Sequence, residues 1–169
     1  DLVKKRLARG NIKFKDNSKG HGTVSIFSKE CVYEITSIRK DLETYGRQAK
    51  IEFAYSFEED AQRRDFTINS IYSDLEGNFY DPYKGISDLN KKIIKFIGNP
   101  LERIEEDNLR LLRYFRFIGV YSDSEDQLHV KSLIASIDNF SKIQFLSKER
   151  VKLEFFKLVV ADNVSLVLL

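Results

Sequence analysis

Three stretches of this sequence combine residue types and spacings that could act on a phosphorylated ligand. In Ile104-Glu-Glu-Asp-Asn-Leu-Arg-Leu-Leu-Arg-Tyr-Phe-Arg-Phe, the side chains of Asp107, Arg110, Arg113 and Arg116 recur every third residue. On a helix turning ~100° per residue they form a ladder opposite an apolar stripe of Ile104, Leu111, Leu112, Phe115 and Ile118. Glu106 lies four residues before Arg110. An ordinary solvated helix with surface ion pairs would look the same. The three arginines outnumber their local acids, however, and planar guanidinium donors on one side suit phosphate oxygens. An Asp beside an Arg also offers acceptors and donors together, which can read the Watson–Crick edge of a base without a nucleic-acid template.

The second stretch is Asp60-Ala-Gln-Arg-Arg-Asp-Phe-Thr-Ile-Asn-Ser. It predicts a helix starting at an Asp60 N-cap and running through RRDFTINS. Asp65 and Asn69 then share a face at i,i+4, with Arg64 just before them. One reading is a helix start stabilised by its own cap and pairs. The other is a ribose and phosphate clamp, the Asp accepting from sugar hydroxyls and the Arg neutralising phosphate. The third stretch is Tyr33-Glu-Ile-Thr, where Glu34 alternates with apolar residues. It could face solvent from a one-sided sheet, or join other carboxylates around Mg²⁺. His21, before a strand, reads as a loop hydrogen-bonder. Cys31 and His129 make no metal-ligand spacing, and there is neither a Walker A loop nor a GxGxxG.

The elements that must position these residues follow from pattern and composition. The chain has 169 residues, 42% of them hydrophobic, with thirteen Phe and eight Tyr, enough for a core. The 32% charged share is mixed in sign and the net charge is +2, which permits a nucleic-acid partner without arguing for one. A single cysteine excludes an internal disulfide and suits a reducing, cytoplasmic setting. No apolar run approaches the ~20 residues of a membrane span, and the first residues lack the apolar core of a signal peptide. With no Met in the sequence, Asp1 is expected not to be the start of translation.

A short helix end opens the chain. Thr23–Phe27 and Val32–Ile38 alternate as a hairpin around Ser28-Lys-Glu. Residues 39–58 read as a polar, mobile loop containing Gly46. A second hairpin flanks Glu76-Gly77, a turn follows at Asp81-Pro82 and Gly85, and Ile93–Ile97 reads as a short strand. Helices are expected over roughly 100–120, 127–138 and 147–160. Strands first and helices after predict an α+β head followed by a helical neck, dividing near Gly98-Asn-Pro100.

Taken together, HGTV at 21–24, EITSIR at 34–39, ETYGRQAKIEF at 43–53, RRDFTIN at 63–69, DPYKGISDL at 81–89, RIEEDNLRLLRYFRF at 103–117 and SKERVKLEFFK at 147–157 resemble the class II tRNA nucleotidyltransferases (CCA-adding enzymes) and bacterial poly(A) polymerases. The resemblance implies a partial nucleotidyltransferase head over 1–98 and a nucleotide- and RNA-binding neck over 99–169. It implies that Arg64 and Asp65, with Asn69, hold the sugar and phosphates of CTP or ATP. Asp107 and Arg110, with Glu106 beside them, would read base edges, and Arg113 and Arg116 would line the same pocket. It likens 39–53 to a flexible loop and 147–157 to a helix supporting the base-reading one.

The implied activity is addition of CMP and AMP to a tRNA 3′ end, assisted by Mg²⁺. Members of the family also carry a Gly-Gly loop and an Asp-x-Asp strand that binds the metal, and this sequence has neither. The expectation is therefore a fragment that is inactive alone, with Glu34 the one catalytic and metal-binding candidate. A separate polypeptide supplying the Asp-x-Asp motif, a binding-only role and a relic of a split gene remain open alternatives.

Overall fold

The computed structural model describes residues 2–17, 22–45 and 48–168. His21 and Gly46, both singled out in the sequence, lie outside them. Helix α1 (Leu2–Arg9) leads into a three-stranded antiparallel sheet of β1 (Phe14–Asp16), β2 (Thr23–Phe27) and β3 (Val32–Thr36). The expected hairpin is there, with Thr23 opposite Thr36 and Phe27 opposite Val32. Ser28 closes its turn, its Oγ accepting from the amide of Cys31 at 3.0 Å. Val24 and Ser25 of β2 are buried, whereas all of β3 is exposed.

Residues 39–58 are not one loop. Arg39–Tyr45 (β4) and Gln48–Phe53 (β5) pair antiparallel, with an irregularity between Asp41 and Glu43. A charged ribbon such as this has too little apolar alternation for a strand pattern to stand out. Nor does the next helix start at Asp60. Helix α2 spans Phe57–Gln62, and its N-cap is Ser56, whose side chain accepts from the amide of Glu59. Glu58, Glu59 and Asp60 all fall in the first turn, where the helix dipole favours acids.

The helix also stops before RRDFTIN. Phe66 is extended, at φ −117° and ψ 151°, and forms an isolated bridge with Phe96. Thr67–Asn69 then make one 3₁₀ turn. The reason is burial. Phe66 is fully inaccessible and packs on Phe96, Phe117 and Tyr114, with ring centroids 4.9, 5.0 and 6.2 Å away. A buried Phe contributes up to about 3 kcal/mol, more than the local helix propensity it overrides. The expected strand at 93–97 is reduced to that bridge, although Ile94 and Phe96 are buried as a strand there would require.

The second hairpin is β6 (Tyr72–Ser73) with β7 (Phe79–Tyr80). Asp81 then caps helix α3 (Gly85–Asn90), accepting from the amides of Gly85 and Ile86 at 2.7 and 2.9 Å. Gly85 lies so close to the 3₁₀ turn that an added Cβ would sit 2.2 Å from the carbonyl oxygen of Thr67.

The expected helix over 100–120 is two helices. Helix α4 (Pro100–Glu106) ends at Asp107, whose backbone is extended, and α5 (Leu109–Tyr121) begins beyond it. The carboxylate of Asp107 accepts from the amide of Leu109 at 3.1 Å, which favours the break. Helices α6 (Val130–Asp138), α7 (Lys148–Val159) and the short α8 (Ser165–Leu168) follow. Helix α5 packs on α7 and α8. The core joins Phe66, Ile94 and Phe96 to Ile104, Leu111, Tyr114, Phe117 and Ile118. Phe115 of the expected stripe is only partly buried. Tyr114 and Phe117 are buried in addition, so α5 is enclosed over a wider arc than that stripe.

Candidate functional site

RRDFTIN and α5 share one core, so the polar residues beside that core are brought together. Asp65, 8% exposed, follows Arg64 and precedes the buried Phe66. Its Oδ1 accepts from the amide of Phe66 at 3.0 Å and from Asn69 Nδ2 at 2.8 Å. The Asp65–Asn69 pairing expected of a helix is thus made by the 3₁₀ turn instead. Arg113 Nε of α5 donates to Asp65 Oδ2 at 2.6 Å.

Arg64 is aimed by Asp60, a residue the sequence offered only as a cap. Asp60 is 1% exposed. Its Oδ2 accepts from Arg64 Nε and Nη2 at 3.1 and 2.8 Å and from the Tyr72 hydroxyl at 2.9 Å. Its Oδ1 accepts from Arg63 Nε and Nη2 at 2.9 and 2.6 Å. Burial alone would raise this carboxyl's pKa, but the hydrogen bonds from Arg64 and Arg63 outweigh it and hold the pKa at about 2. Burial, together with the hydrogen bond to the same carboxylate, pushes Tyr72 up to about 12.

On α5, Arg110 Nη1 donates to Glu106 Oε2 at 2.6 Å and Nη2 to the carbonyl of Arg63 at 3.1 Å. Glu106 also pairs with Arg103, which reaches the carbonyl of Gln62. Arg116 Nε donates to Glu154 Oε2 of α7 at 2.7 Å, and its guanidinium lies 4.4 Å from the Phe117 ring centroid. Burial opposes ionisation of Glu154, but Lys157 and Arg116 outweigh it and lower its pKa. Asp107 turns to α7, where Arg150 Nη2 contacts both its oxygens, at 3.0 and 2.8 Å.

The result is a cleft of about 450 Å³ lined by Arg63, Arg64, Asp65, Asn69, Arg110, Arg113, Arg116 and Phe117. Five guanidinium groups face a single lining carboxylate. Among the described residues, Arg113 and Arg116 form hydrogen bonds through Nε alone. Their Nη groups therefore remain as donor forks for an anionic or hydrogen-bonding ligand. These arginines are not a solvated face, since the side chains of Arg110 and Arg116 are only 13% and 17% exposed. Glu106 and Asp107 support the cleft from outside its lining.

Glu34 stands apart, exposed on β3 opposite Ser25. No group of three or more His, Cys, Asp or Glu that could hold a metal occurs among the described residues. Asp60, Arg63, Tyr72, Arg150 and Glu154 were not foreseen. Only the run of two arginines after Asp60 hinted at the first two.

The profile of the poly A polymerase head domain matches residues 2–95. This chain belongs to that family. Its similarity to curated members extends past the match. It is 38% identical over 151 residues to mouse mitochondrial CCA tRNA nucleotidyltransferase 1, covering 88% of this chain and 35% of that protein. It is also 38% identical over 149 residues to the CCA-adding enzyme of Staphylococcus epidermidis, covering 87% and 36%.

Among solved structures, the Bacillus stearothermophilus CCA-adding enzyme in complex with CTP superposes with a TM-score of 0.75 at 32% identity, over 86% of this chain and 34% of that one. A tRNA nucleotidyltransferase complexed with a primer tRNA and an incoming ATP analogue superposes at 0.75 and 25% identity, over 99% and 46%. This poly(A) polymerase head-family chain thus spans about a third of the length of the curated relatives it matches. The mixed helix and antiparallel-sheet architecture is that of the CCA-adding enzymes. No described helix is long and apolar enough to cross a membrane.

Proposed function

We propose that this chain is the nucleotide-selecting part of an RNA 3′-end nucleotidyltransferase that adds CMP and AMP from CTP and ATP to tRNA. The observation that carries this reading is the single cleft uniting Arg64, Asp65 and Asn69 with Arg110, Arg113 and Arg116. In it, Arg63 and Arg64 neutralise the triphosphate. Asp65 and Asn69 take the sugar hydroxyls, the donor forks of Arg113 and Arg116 meet the base and the remaining phosphate oxygens, and Arg110, held by Glu106 and the Arg63 carbonyl, adds positive charge beside them. Asp107, once drawn from Arg150, adds the acceptor that base reading needs. In this reading residues 1–98 act as the head and 99–169 as the neck. The setting is a reducing one, such as the cytoplasm.

The Mg²⁺ of such a reaction does not fit the donors described here. Glu34 is one exposed carboxylate, and divalent sites of this kind use more than one anionic oxygen. In this reading the described residues bind and orient the nucleotide, and a segment carrying the Asp-x-Asp motif, fused or separate, supplies the metal-binding carboxylates.

Two measurements test the reading. Calorimetry should detect CTP or ATP binding to the chain, weakened about tenfold or more by Arg110→Ala, a change of about 1.4 kcal/mol. Labelled CTP, Mg²⁺ and tRNA lacking its terminal residues should give no incorporation with the chain alone, and incorporation once an Asp-x-Asp segment is supplied. Nucleotide binding that is indifferent to Arg110 would overturn the proposal.

A further inference from the structure

Asp60 collects six donors on two oxygens. Besides the two guanidiniums and the Tyr72 hydroxyl, its Oδ1 accepts from the backbone amide of Arg39 at 3.3 Å. Arg39 is the first residue of β4, at the foot of the β4–β5 hairpin. The carbonyl of Arg39 in turn accepts from Arg63 Nε at 3.1 Å. The hairpin foot is thus tied by one bond to Asp60 and by another to an arginine that Asp60 holds.

Each oxygen takes three donors, but from different partners. Oδ1 serves Arg63 and the hairpin, while Oδ2 serves Arg64 and Tyr72. A carboxylate offers about four lone-pair directions, so three donors on one oxygen compete. At 1% exposure it gives solvent little access to relieve that competition. Anything that draws Arg63 toward the cleft withdraws a donor from the Arg39 carbonyl and frees Oδ1 for the Arg39 amide.

We propose that Asp60 is a positioning residue that aims Arg63 and Arg64 into the cleft and links it to the β4–β5 hairpin, so that a polyphosphate gripped by these arginines alters how firmly the hairpin foot is held. The proposal rests on the nucleotide reading of the cleft. It adds a residue that touches no ligand and a segment outside the cleft lining.

The test uses the whole chain with CTP, and CMP as the comparison with fewer phosphates. Hydrogen exchange is followed at the amides of residues 39–45 and 48–53. In the wild type, CTP should change exchange there several-fold, and CMP should do so less. In Asp60→Asn that response should vanish and CTP affinity should fall about tenfold, with a smaller loss for CMP.

Should Asp60→Asn fail to fold, Arg63→Gln cuts the bond to the Arg39 carbonyl and should abolish the response. Tyr72→Phe takes a donor from Oδ2 only and should keep it. A hairpin that ignores CTP in the wild type, or that still responds in Asp60→Asn or Arg63→Gln, overturns the proposal. A wild-type chain that binds no CTP overturns the cleft reading itself, and this proposal with it.

Discussion

Arg113 and Asp65, 48 residues apart in the chain, meet through a 2.6 Å hydrogen bond between Nε and Oδ2. That contact joins α5 to RRDFTIN in the cleft wall. Asp65 is nearly buried while Arg113 is 30% exposed on its side chain, so solvent screens the pair in part. A double-mutant cycle with Asp65→Asn and Arg113→Gln should give a coupling of about 1 kcal/mol in urea unfolding. Additive single-mutant losses would mean that the pair contributes nothing to folding.

Asp107 is held on both oxygens by Arg150. If Asp107 takes part in base choice, Arg150→Ala should alter the ratio of CTP to ATP affinity more than the affinity for their shared triphosphate. Competition binding with CTP, ATP and inorganic triphosphate separates the two. An unchanged ratio would place Arg150 in packing alone.

Acid should expose the Asp60 network. Its carboxyl titrates near 2 in the folded chain and at an ordinary 3.8 when free. A depressed folded value stabilises above the unfolded value and is lost as pH falls. The contribution, roughly 2 kcal/mol, is therefore complete above about pH 5 and gone below about pH 2. Glu154 is depressed as well and adds in the same direction. Urea midpoints measured from pH 6 down to pH 2 should fall more steeply in the wild type than in Asp60→Asn. Parallel curves would deny Asp60 its charge-paired state.

Two glycines should respond differently to mutation to alanine. At Gly85 the new Cβ meets the Thr67 carbonyl oxygen at 2.2 Å, a backbone atom that cannot turn aside. The cost should be about 1–3 kcal/mol or more despite the gain in helix propensity. At Gly119 the nearest atom is Ala161 Cβ at 3.2 Å, and the change should be close to neutral. Thermal unfolding of the two variants decides it.

What the sequence revealed and what it concealed divide along physical lines. The β2–β3 and β6–β7 hairpins were legible from alternation and turn residues, and α6 and α7 from their apolar period. The cleft was legible as residue types, because Arg64, Asp65, Asn69, Arg110, Arg113 and Arg116 do line one space. Its scaffolding was not. RRDFTIN continues the polar and apolar spacing of a helix, but beyond its two arginines its residues are weak helix formers, and the tertiary demand to bury Phe66 pulls it straight. The break at Asp107 comes from a side chain capping its own backbone, which periodicity does not register. The β4–β5 ribbon has few apolar residues along its sequence, so no alternation marks it. Arg150 and Glu154 find their partners across two helices, and no spacing along the chain announces that.

Phe66 sits at the centre of the core and is also the residue next to Asp65. The cleft and the core are therefore built on the same segment. Packing of the Phe66–Phe96–Tyr114–Phe117 cluster adds to the hydrogen bond that keeps Asp65 against Arg113. By mass action the dependence runs both ways. A ligand present at a hundred times its dissociation constant would raise the unfolding free energy by about 2.7 kcal/mol. Conversely, a substitution at Phe96 or Tyr114, which touches no ligand, would emerge in a binding assay as lost affinity. Screens for ligand-site residues in this chain would then recover core aromatics alongside the arginines, unless the folded fraction were measured for each variant.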